Sequence, residues 1–93
     1  MNNRMKTVFS ALAENEAFAR SAAAAFVMPL DPTVEELTEI KTAVSEAVSN
    51  SVIHGYSGWE DRSQAMVELE CEINGNGRVT IIVRDHGRGI ANV

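Results

Sequence analysis

Strict alternation of apolar and acidic residues in the segment VELECEI constrains the fold more than any other feature of this sequence. On an extended chain the apolar residues share one face and the three glutamates share the other. NGNG then provides a turn, and RVTIIVRD repeats the alternation. The predicted inward residues are Val67, Leu69, Cys71, Ile73, Val79, Ile81 and Val83. The pattern therefore predicts an antiparallel hairpin with one buried face and one acidic face in solvent.

The chain before the hairpin predicts a short strand and a first helix. KTVFSAL is rich in β-branched and aromatic residues, which favours a strand. From Asn15 to Met28 apolar residues recur at helical spacing, and Pro29 and Pro32 end that helix. Its predicted buried face consists of Phe18, Ala22, Ala25 and Phe26.

A second helix is predicted from about Pro32 to near His54, with Asp31 as its N-terminal cap. Gly55 is expected to end it in a left-handed conformation. At about 100° per residue, one apolar stripe forms. This stripe contains Leu37, Ile40, Val44, Val48 and Ser51.

Glu46 and Asn50 lie roughly opposite that stripe, on a face that is unusually small and polar. Their neighbours on this face are Thr42, Ala43, Ser49 and Ile53. An exposed helix face usually carries Lys, Arg and Glu, so this composition indicates that something packs against it. A solvated helix face is the alternative interpretation.

Charge and cysteine content limit the classes of function. Thirteen acidic and eight basic residues give a net charge of -5, which argues against direct binding of nucleic acid and favours a basic protein surface as partner. Cys71 is the single cysteine, so no internal disulfide forms, and it is expected in the core. The sequence contains no signal peptide and no run long enough to span a membrane, which predicts a cytoplasmic protein.

RDHGRGI is expected at the exit of the last strand. Asp85 offers a carboxylate that can accept a hydrogen bond from an amine, and Gly87 and Gly89 let the backbone approach a flat ligand. Taken alone, D-x-G-x-G is weak evidence for a ligand site, and a glycine-containing turn after an edge strand is the favoured interpretation.

Together, E-A-x-x-N-x-x-x-H-G-Y on a helix and D-x-G-x-G-I after a strand resemble the GHKL nucleotide-binding family, which includes gyrase-type ATPases and histidine kinases. LTEIKTAVSEAVSNSVIHGY, with FSAL and LDPTVEELTEIK before it, is similar to the anti-sigma F factors of spore-forming bacteria, which are serine protein kinases. The resemblance implies an α+β fold, a two-layer α/β sandwich of the GHKL (Bergerat) type, truncated, with two helices on one face of a mostly antiparallel sheet.

The same resemblance implies one domain over residues 1–93, the N-terminal part of the family's ATPase domain. The helix box would occupy about 33–56 and the glycine box 85–90, without the family's second glycine box and lid. These residues alone are therefore expected to bind ATP weakly, to show little kinase activity and to dimerise or exchange elements.

Roles for individual residues are also implied by the resemblance. Asn50 resembles the residue whose side-chain oxygen binds Mg²⁺, and that ion bridges to the phosphates of ATP or ADP. Glu46 resembles the general base that activates a serine hydroxyl. Asp85 resembles the carboxylate that reads the adenine amino group. Three more residues are expected to shape the nucleotide site: Gly87, Gly89 and Ile90. His54 matches the motif without an assigned role, and Tyr56 is expected to pack at the helix end.

Arg20 resembles the arginine that contacts both the sigma factor and the anti-anti-sigma factor. The helical pattern places it opposite Phe18, on a weakly apolar outer surface with Ala23, Ala24 and Val27. A solubilising arginine on an alanine-rich helix is the alternative.

The resemblance implies a sporulation regulator that works as a homodimer. It would sequester a sigma factor and phosphorylate an anti-anti-sigma antagonist with Mg-ATP. Two alternatives stay open at this stage: the catalytic domain of a histidine kinase, and a non-enzymatic partner-binding regulator that uses nucleotide only as a structural ligand.

Overall fold

The computed structural model describes residues 1–56, 58, 60–61 and 63–85 of the 93-residue chain. The predicted strand, two helices and hairpin are all present. Their bounds are β1 Asn3–Ser10, α1 Asn15–Val27, α2 Val34–Asn50, β2 Met66–Ile73 and β3 Val79–Asp85. Short helical turns of different pitch follow each α-helix, a 3-10 turn at Met28–Leu30 and a π-helical turn at Ser51–Gly55.

The three strands form an antiparallel sheet in the order β1-β2-β3, with β2 in the centre. Leu69 at the middle of β2 lies opposite Thr7 on one side and Val83 on the other. Burial alternates residue by residue along β2, which confirms the inward face predicted from VELECEI. In the turn, Gly77 has a φ of 78°, a conformation that glycine adopts without strain.

Both helices lie on the inward face of this sheet, and the core forms between the two layers. The largest fully buried side chains include Leu69 and Ile73 from β2 and Val44 and Val48 from α2. Burial of each such side chain stabilises the fold by about 1.5–3 kcal/mol. This arrangement confirms the predicted α+β sandwich with two helices on one face of an antiparallel sheet.

Only half of the predicted buried face of α1 is confirmed: Ala22 and Phe26 are partly buried and pack against the core. Ala19, Ala23, Ala24 and Val27 are buried, whereas Phe18 is 50% exposed and Ala25 is exposed. In an alanine-rich helix the apolar pattern has little contrast, so the two phenylalanines dominate a sequence-based assignment. Small side chains instead let α1 approach α2 closely, and the Phe18 ring packs edge-on against Phe9 with centroids 5.9 Å apart.

The N-terminus of α2 also differs from prediction. Thr33, not Asp31, is the cap: its hydroxyl accepts a hydrogen bond from the Glu36 N–H at 3.0 Å, and the Glu36 carboxylate accepts one from the Thr33 N–H at 2.8 Å. This reciprocal capping box starts the helix at Val34 rather than at Pro32. Asp31 has a φ of 54° and closes the preceding 3-10 turn.

The apolar stripe of α2 is confirmed by the burial of Val44, Val48 and Ser51. Within the part of the chain that the structure describes, no helix is both long and apolar enough to cross a membrane.

Candidate functional site

The polar face of α2 lies opposite the buried stripe as predicted, with Glu46 and Asn50 exposed. Glu46 and Asn50 line a shallow depression of about 370 Å³ together with Ser45, Ser49 and Glu16 of α1. Among the residues that the structure describes, neither Glu46 nor Asn50 has a side-chain hydrogen bond or an ion pair. The carboxylate and the amide are therefore available to a ligand.

An apolar groove of about 420 Å³ runs along the other side of this face, between α2 and β3. We call it the α2–β3 groove; its lining residues are Glu39, Ile40, Ala43, Val44, Ala47, Ile81 and Val83. Ala43 and Ala47 have side chains of one carbon, so the groove stays open beside Glu46 and Asn50. Its volume and mostly apolar walls suit a flat ring system.

Asp85 stands on the groove side of the sheet. Strand alternation puts position 85 on the same face as Ile81 and Val83, and Asp85 lies opposite Val67 of β2. The carboxylate meets the end of the π-helical turn: a Cβ built on Gly55 would lie 2.7 Å from both Cγ and Oδ2 of Asp85. The helix end and the strand end are therefore in close contact, five residues beyond Asn50.

Gly55 does not have the left-handed conformation expected from the sequence, because the described glycines with positive φ are Gly58 and Gly77. The π-helical turn carries the chain past Asn50 without a left-handed cap. Such turns are rare and occur often at functional sites. The absence of a side chain at Gly55 is explained by the Asp85 carboxylate and not by backbone conformation.

Tyr56 fixes this junction. Its ring is 2% exposed, and its hydroxyl accepts a hydrogen bond from the Met66 N–H at 3.0 Å and donates one to the Met66 carbonyl. Met66 begins β2 and precedes Val67, the partner of Asp85. The tyrosine thus holds the end of the helical segment on the sheet, which confirms the predicted packing role.

Arg20 lies beside Glu46 rather than on an outer alanine surface. It shares a depression of about 340 Å³ with Glu46, Lys41 and residues of α2 between them. Its guanidinium makes a loose ion pair with Glu16 at 3.6 Å, and its side chain is 42% exposed. The predicted surroundings of Arg20 were wrong because Ala23, Ala24 and Val27 are buried.

The side chains near Asn50 limit the ways in which this site could bind a divalent cation. Within the described ranges, no group of three or more His, Cys, Asp and Glu side chains is placed to enclose a metal. Mg²⁺ commonly keeps several waters and binds through one or two protein oxygens together with substrate phosphates. A single exposed amide oxygen with adjacent free space fits that mode and not an all-protein cage.

Perturbed pKa values lie away from this site. A hydrogen bond from Arg84 lowers the pKa of Glu70, and the same contact raises the pKa of Arg84. A hydrogen bond from the Thr33 N–H lowers the pKa of Glu36. Burial raises the pKa of the Cys71 thiol to about 11, with a further contribution from the charge of Glu70. Since Cys71 is fully buried, its predicted place in the core is confirmed.

The structure places Glu46 and Asn50 in one depression and Glu46 and Arg20 in another, whereas Asp85 lies in the sheet and meets the helix end at Gly55. Sequence patterns missed the groove walls Ala47, Ile81 and Val83, and they assigned the wrong role to Gly55. The small side chain of Ala47, directly after Glu46, could have indicated from the sequence that space for a ligand lies beside the polar face. The remaining predicted residues of the glycine box, Gly87, Gly89 and Ile90, lie outside the described residues.

Comparison with known families places the chain in a class. The family model described as "Histidine kinase-like ATPase domain" matches residues 9–93. The match covers nearly the whole chain, including both helices, the hairpin and Asp85. The chain therefore belongs to the histidine kinase-like ATPase domain family.

Individual relatives narrow the comparison. The chain is 54% identical over 91 residues to the anti-sigma F factor of Clostridium novyi (strain NT), a match that covers 98% of this chain and 61% of that protein. It is 54% identical over 93 residues to the anti-sigma F factor of Anoxybacillus flavithermus (strain DSM 21510 / WK1), and 50% identical over 93 residues to that of Priestia megaterium. Each of these two matches covers 100% of this chain and 61% of the relative. The chain thus spans about three fifths of the length of these relatives.

Proposed function

We propose that this protein is an anti-sigma factor that uses Mg-ATP to phosphorylate a serine of its anti-anti-sigma antagonist. The observation that carries the proposal is the uncommitted Glu46–Asn50 pair beside an apolar groove on the Asp85 side of the sheet. Similarity to three proteins named anti-sigma F factor supports the regulatory part. The family match supports the nucleotide part.

The arrangement suits an adenine nucleotide. The base would lie in the α2–β3 groove against Ala47 and Val83, and its amino group would donate a hydrogen bond to the Asp85 carboxylate. The phosphates would then lie along the polar face toward Asn50, whose side-chain oxygen would hold Mg²⁺. When bound, the cation neutralises phosphate charge. Gly87, Gly89 and Ile90 complete the proposed nucleotide site.

Glu46 is proposed as the general base. Its carboxylate takes the proton of the acceptor serine hydroxyl as the serine oxygen forms a bond to the γ-phosphorus of ATP. The bond from that phosphorus to the β,γ-bridging oxygen breaks, and ADP leaves. Because Glu46 is exposed, with a depression on either flank, a protein substrate can reach it directly.

Arg20 is proposed as the partner anchor because it shares a depression with Glu46. Its planar guanidinium can bind a partner carboxylate through two parallel hydrogen bonds, exchanging its loose contact with Glu16. One arginine would serve both partners in turn, so the sigma factor and the antagonist would compete for the same surface. We propose that the regulator acts as a homodimer in the cytoplasm during sporulation.

Calorimetric titration with Mg-ATP tests the nucleotide site. We expect saturable binding near one nucleotide per chain at the protein's natural length, and a loss of about tenfold or more in affinity for Asn50→Ala. Asn76→Ala in the hairpin turn removes the same amide far from the site and should leave the affinity unchanged. Equal affinities for wild type and Asn50→Ala would refute the assigned role of Asn50.

A second measurement separates the enzyme from a non-enzymatic regulator. Sigma-factor binding is compared with and without Mg-ATP, alongside phosphate incorporation into the antagonist. Nucleotide-dependent sigma binding together with serine phosphorylation supports the proposal. Full sigma binding by a protein that binds no nucleotide would favour the regulator that works without catalysis.

A further inference from the structure

Gly55 lies directly against the Asp85 carboxylate, with no room for a side chain between them. A Cβ at position 55 would lie 2.7 Å from Cγ, 2.7 Å from Oδ2 and 3.1 Å from Cβ of Asp85. Ordinary contacts of this kind begin near 3.4 Å, so an alanine cannot be added without a movement. The backbone of Gly55 has no positive φ, so alanine would be conformationally acceptable there. The missing side chain therefore serves the neighbouring carboxylate.

The two backbones around this contact are both held in place. On the helix side, Tyr56 is buried and hydrogen bonded to both backbone groups of Met66. On the sheet side, Asp85 pairs with Val67, the residue of β2 that follows Met66. A movement of the helix end would break the tyrosine contacts, and a movement of β3 would disturb the sheet. Rotation of the short Asp85 side chain relieves the two 2.7 Å contacts with Cγ and Oδ2, and the 3.1 Å contact with Cβ then needs a shift of only a few tenths of an ångström.

We propose that Gly55 is a positioning residue for the Asp85 carboxylate, and that it thereby sets the preference of the nucleotide site for a purine with a 6-amino group. The inference rests on the proposed function, since it assumes that the base lies against Asp85. Gly55 itself makes no contact with the nucleotide in this scheme. Its effect is to leave space at the helix end for the Asp85 carboxylate.

The first test compares two nucleotides on Gly55→Ala. ATP and the purine riboside triphosphate that lacks the 6-amino group are titrated against the protein at its natural length. A hydrogen bond to a charged group corresponds to about 10- to 100-fold in affinity, so wild type should prefer ATP by roughly that factor. Gly55→Ala should lose most of this preference, with ATP affinity falling to about that of the 6-deamino nucleotide. An equal loss for both nucleotides would indicate a merely structural defect and would overturn the inference.

Gly75→Ala is the matched control. A Cβ at Gly75 would have only Asn2 Oδ1 nearby, at 3.6 Å, which is an ordinary contact, and its backbone also has no positive φ. The same substitution in the hairpin turn should leave the affinity for both nucleotides unchanged. In the nucleotide-free protein, the carboxyl carbon resonance of Asp85 should shift in Gly55→Ala and stay in place in Gly75→Ala.

A double-mutant cycle with Asp85→Ala completes the design. Once the carboxylate is gone, only the 3.1 Å approach to the Cβ of position 85 remains, so Gly55→Ala should change ATP affinity by less than about twofold in that background. Additive losses would overturn the positioning role while leaving the nucleotide site intact. Full ATP affinity in Asp85→Ala alone would instead remove the base-reading carboxylate from the proposed function, and the inference with it. The two failures are therefore distinguishable.

Discussion

The outward face of the sheet and the polar face of α2 are both rich in acidic or polar side chains, yet their electrostatic states differ. On the sheet, the glutamates of β2 are half-buried and paired with cations from the flanking strands: Arg4 contacts Glu72 at 2.9 Å, and Arg84 contacts Glu70 at 2.8 Å. On the helix, Glu46 and Asn50 have no such partner among the described residues.

This difference assigns the two faces to different tasks. Paired charges on the sheet contribute to stability and specify the strand register, since Arg84 reaches across to β2. Uncommitted polar groups on α2 add little to stability, but they are free to bind a ligand or accept a proton. The acidic strand face is open to solvent as expected, and its glutamates are in addition paired with cations from the flanking strands.

The same Glu→Gln substitution on α2 and on the sheet tests the difference between the two faces most directly. Glu46→Gln should reduce the rate of antagonist phosphorylation by about 10²- to 10⁴-fold, the usual range for loss of a general base, with nucleotide binding retained. Glu70→Gln, the same change on the sheet, should leave this rate within about twofold of wild type. Both rates are measured by phosphate incorporation into the antagonist. Comparable rates for the two variants would break the division of tasks.

A substitution on the buried face of β2 tests how much the sheet contributes to stability. Leu69→Ala removes a fully buried side chain at the centre of β2 and should lower the free energy of unfolding by about 2–5 kcal/mol. That is a large fraction of the total for a small domain. Chemical denaturation followed by circular dichroism measures it. A loss below about 1 kcal/mol would show that this sheet face is not the main core.

Two arginines provide the next comparison. Arg20→Ala should weaken binding of both the sigma factor and the antagonist by roughly 30-fold, as expected for an interface anchor. Arg4→Ala removes an arginine paired on the sheet and should leave both affinities unchanged. Surface plasmon resonance with each partner measures the effect. Unchanged affinities for Arg20→Ala would end its assignment as the anchor.

The smallest expected effect concerns acid stability. The Arg84 hydrogen bond lowers the pKa of Glu70 in the folded state, so its contribution is complete above the unfolded pKa near 4.5 and is lost as the pH falls through the folded pKa. Arg84→Ala removes this contact. The variant should therefore lose less stability than wild type between neutral pH and about pH 3. Thermal melts across this range measure the difference, and parallel curves for the two proteins would contradict the pairing.

Sequence reasoning recovered the hairpin, the two helices and the two faces of α2. These features depend on residues that are close in sequence, where a repeat of two or of about 3.6 residues indicates the buried side directly. The pattern VELECEI specified the buried face of β2 through its own alternation. The same logic failed on α1, where a run of alanines gives no contrast between inside and outside and the burial depends on what packs against it.

By itself, the sequence therefore determined the types of chemical group at the candidate site: a carboxylate and an amide one helical turn apart, and a second carboxylate at a strand end. Only the tertiary structure decided that Asp85 meets Gly55, that Arg20 shares a depression with Glu46, and that an apolar groove separates α2 from β3. The reason is physical: these contacts join residues between 26 and 44 positions apart in the sequence. They depend on how two layers pack, and a local pattern carries no information about that distance.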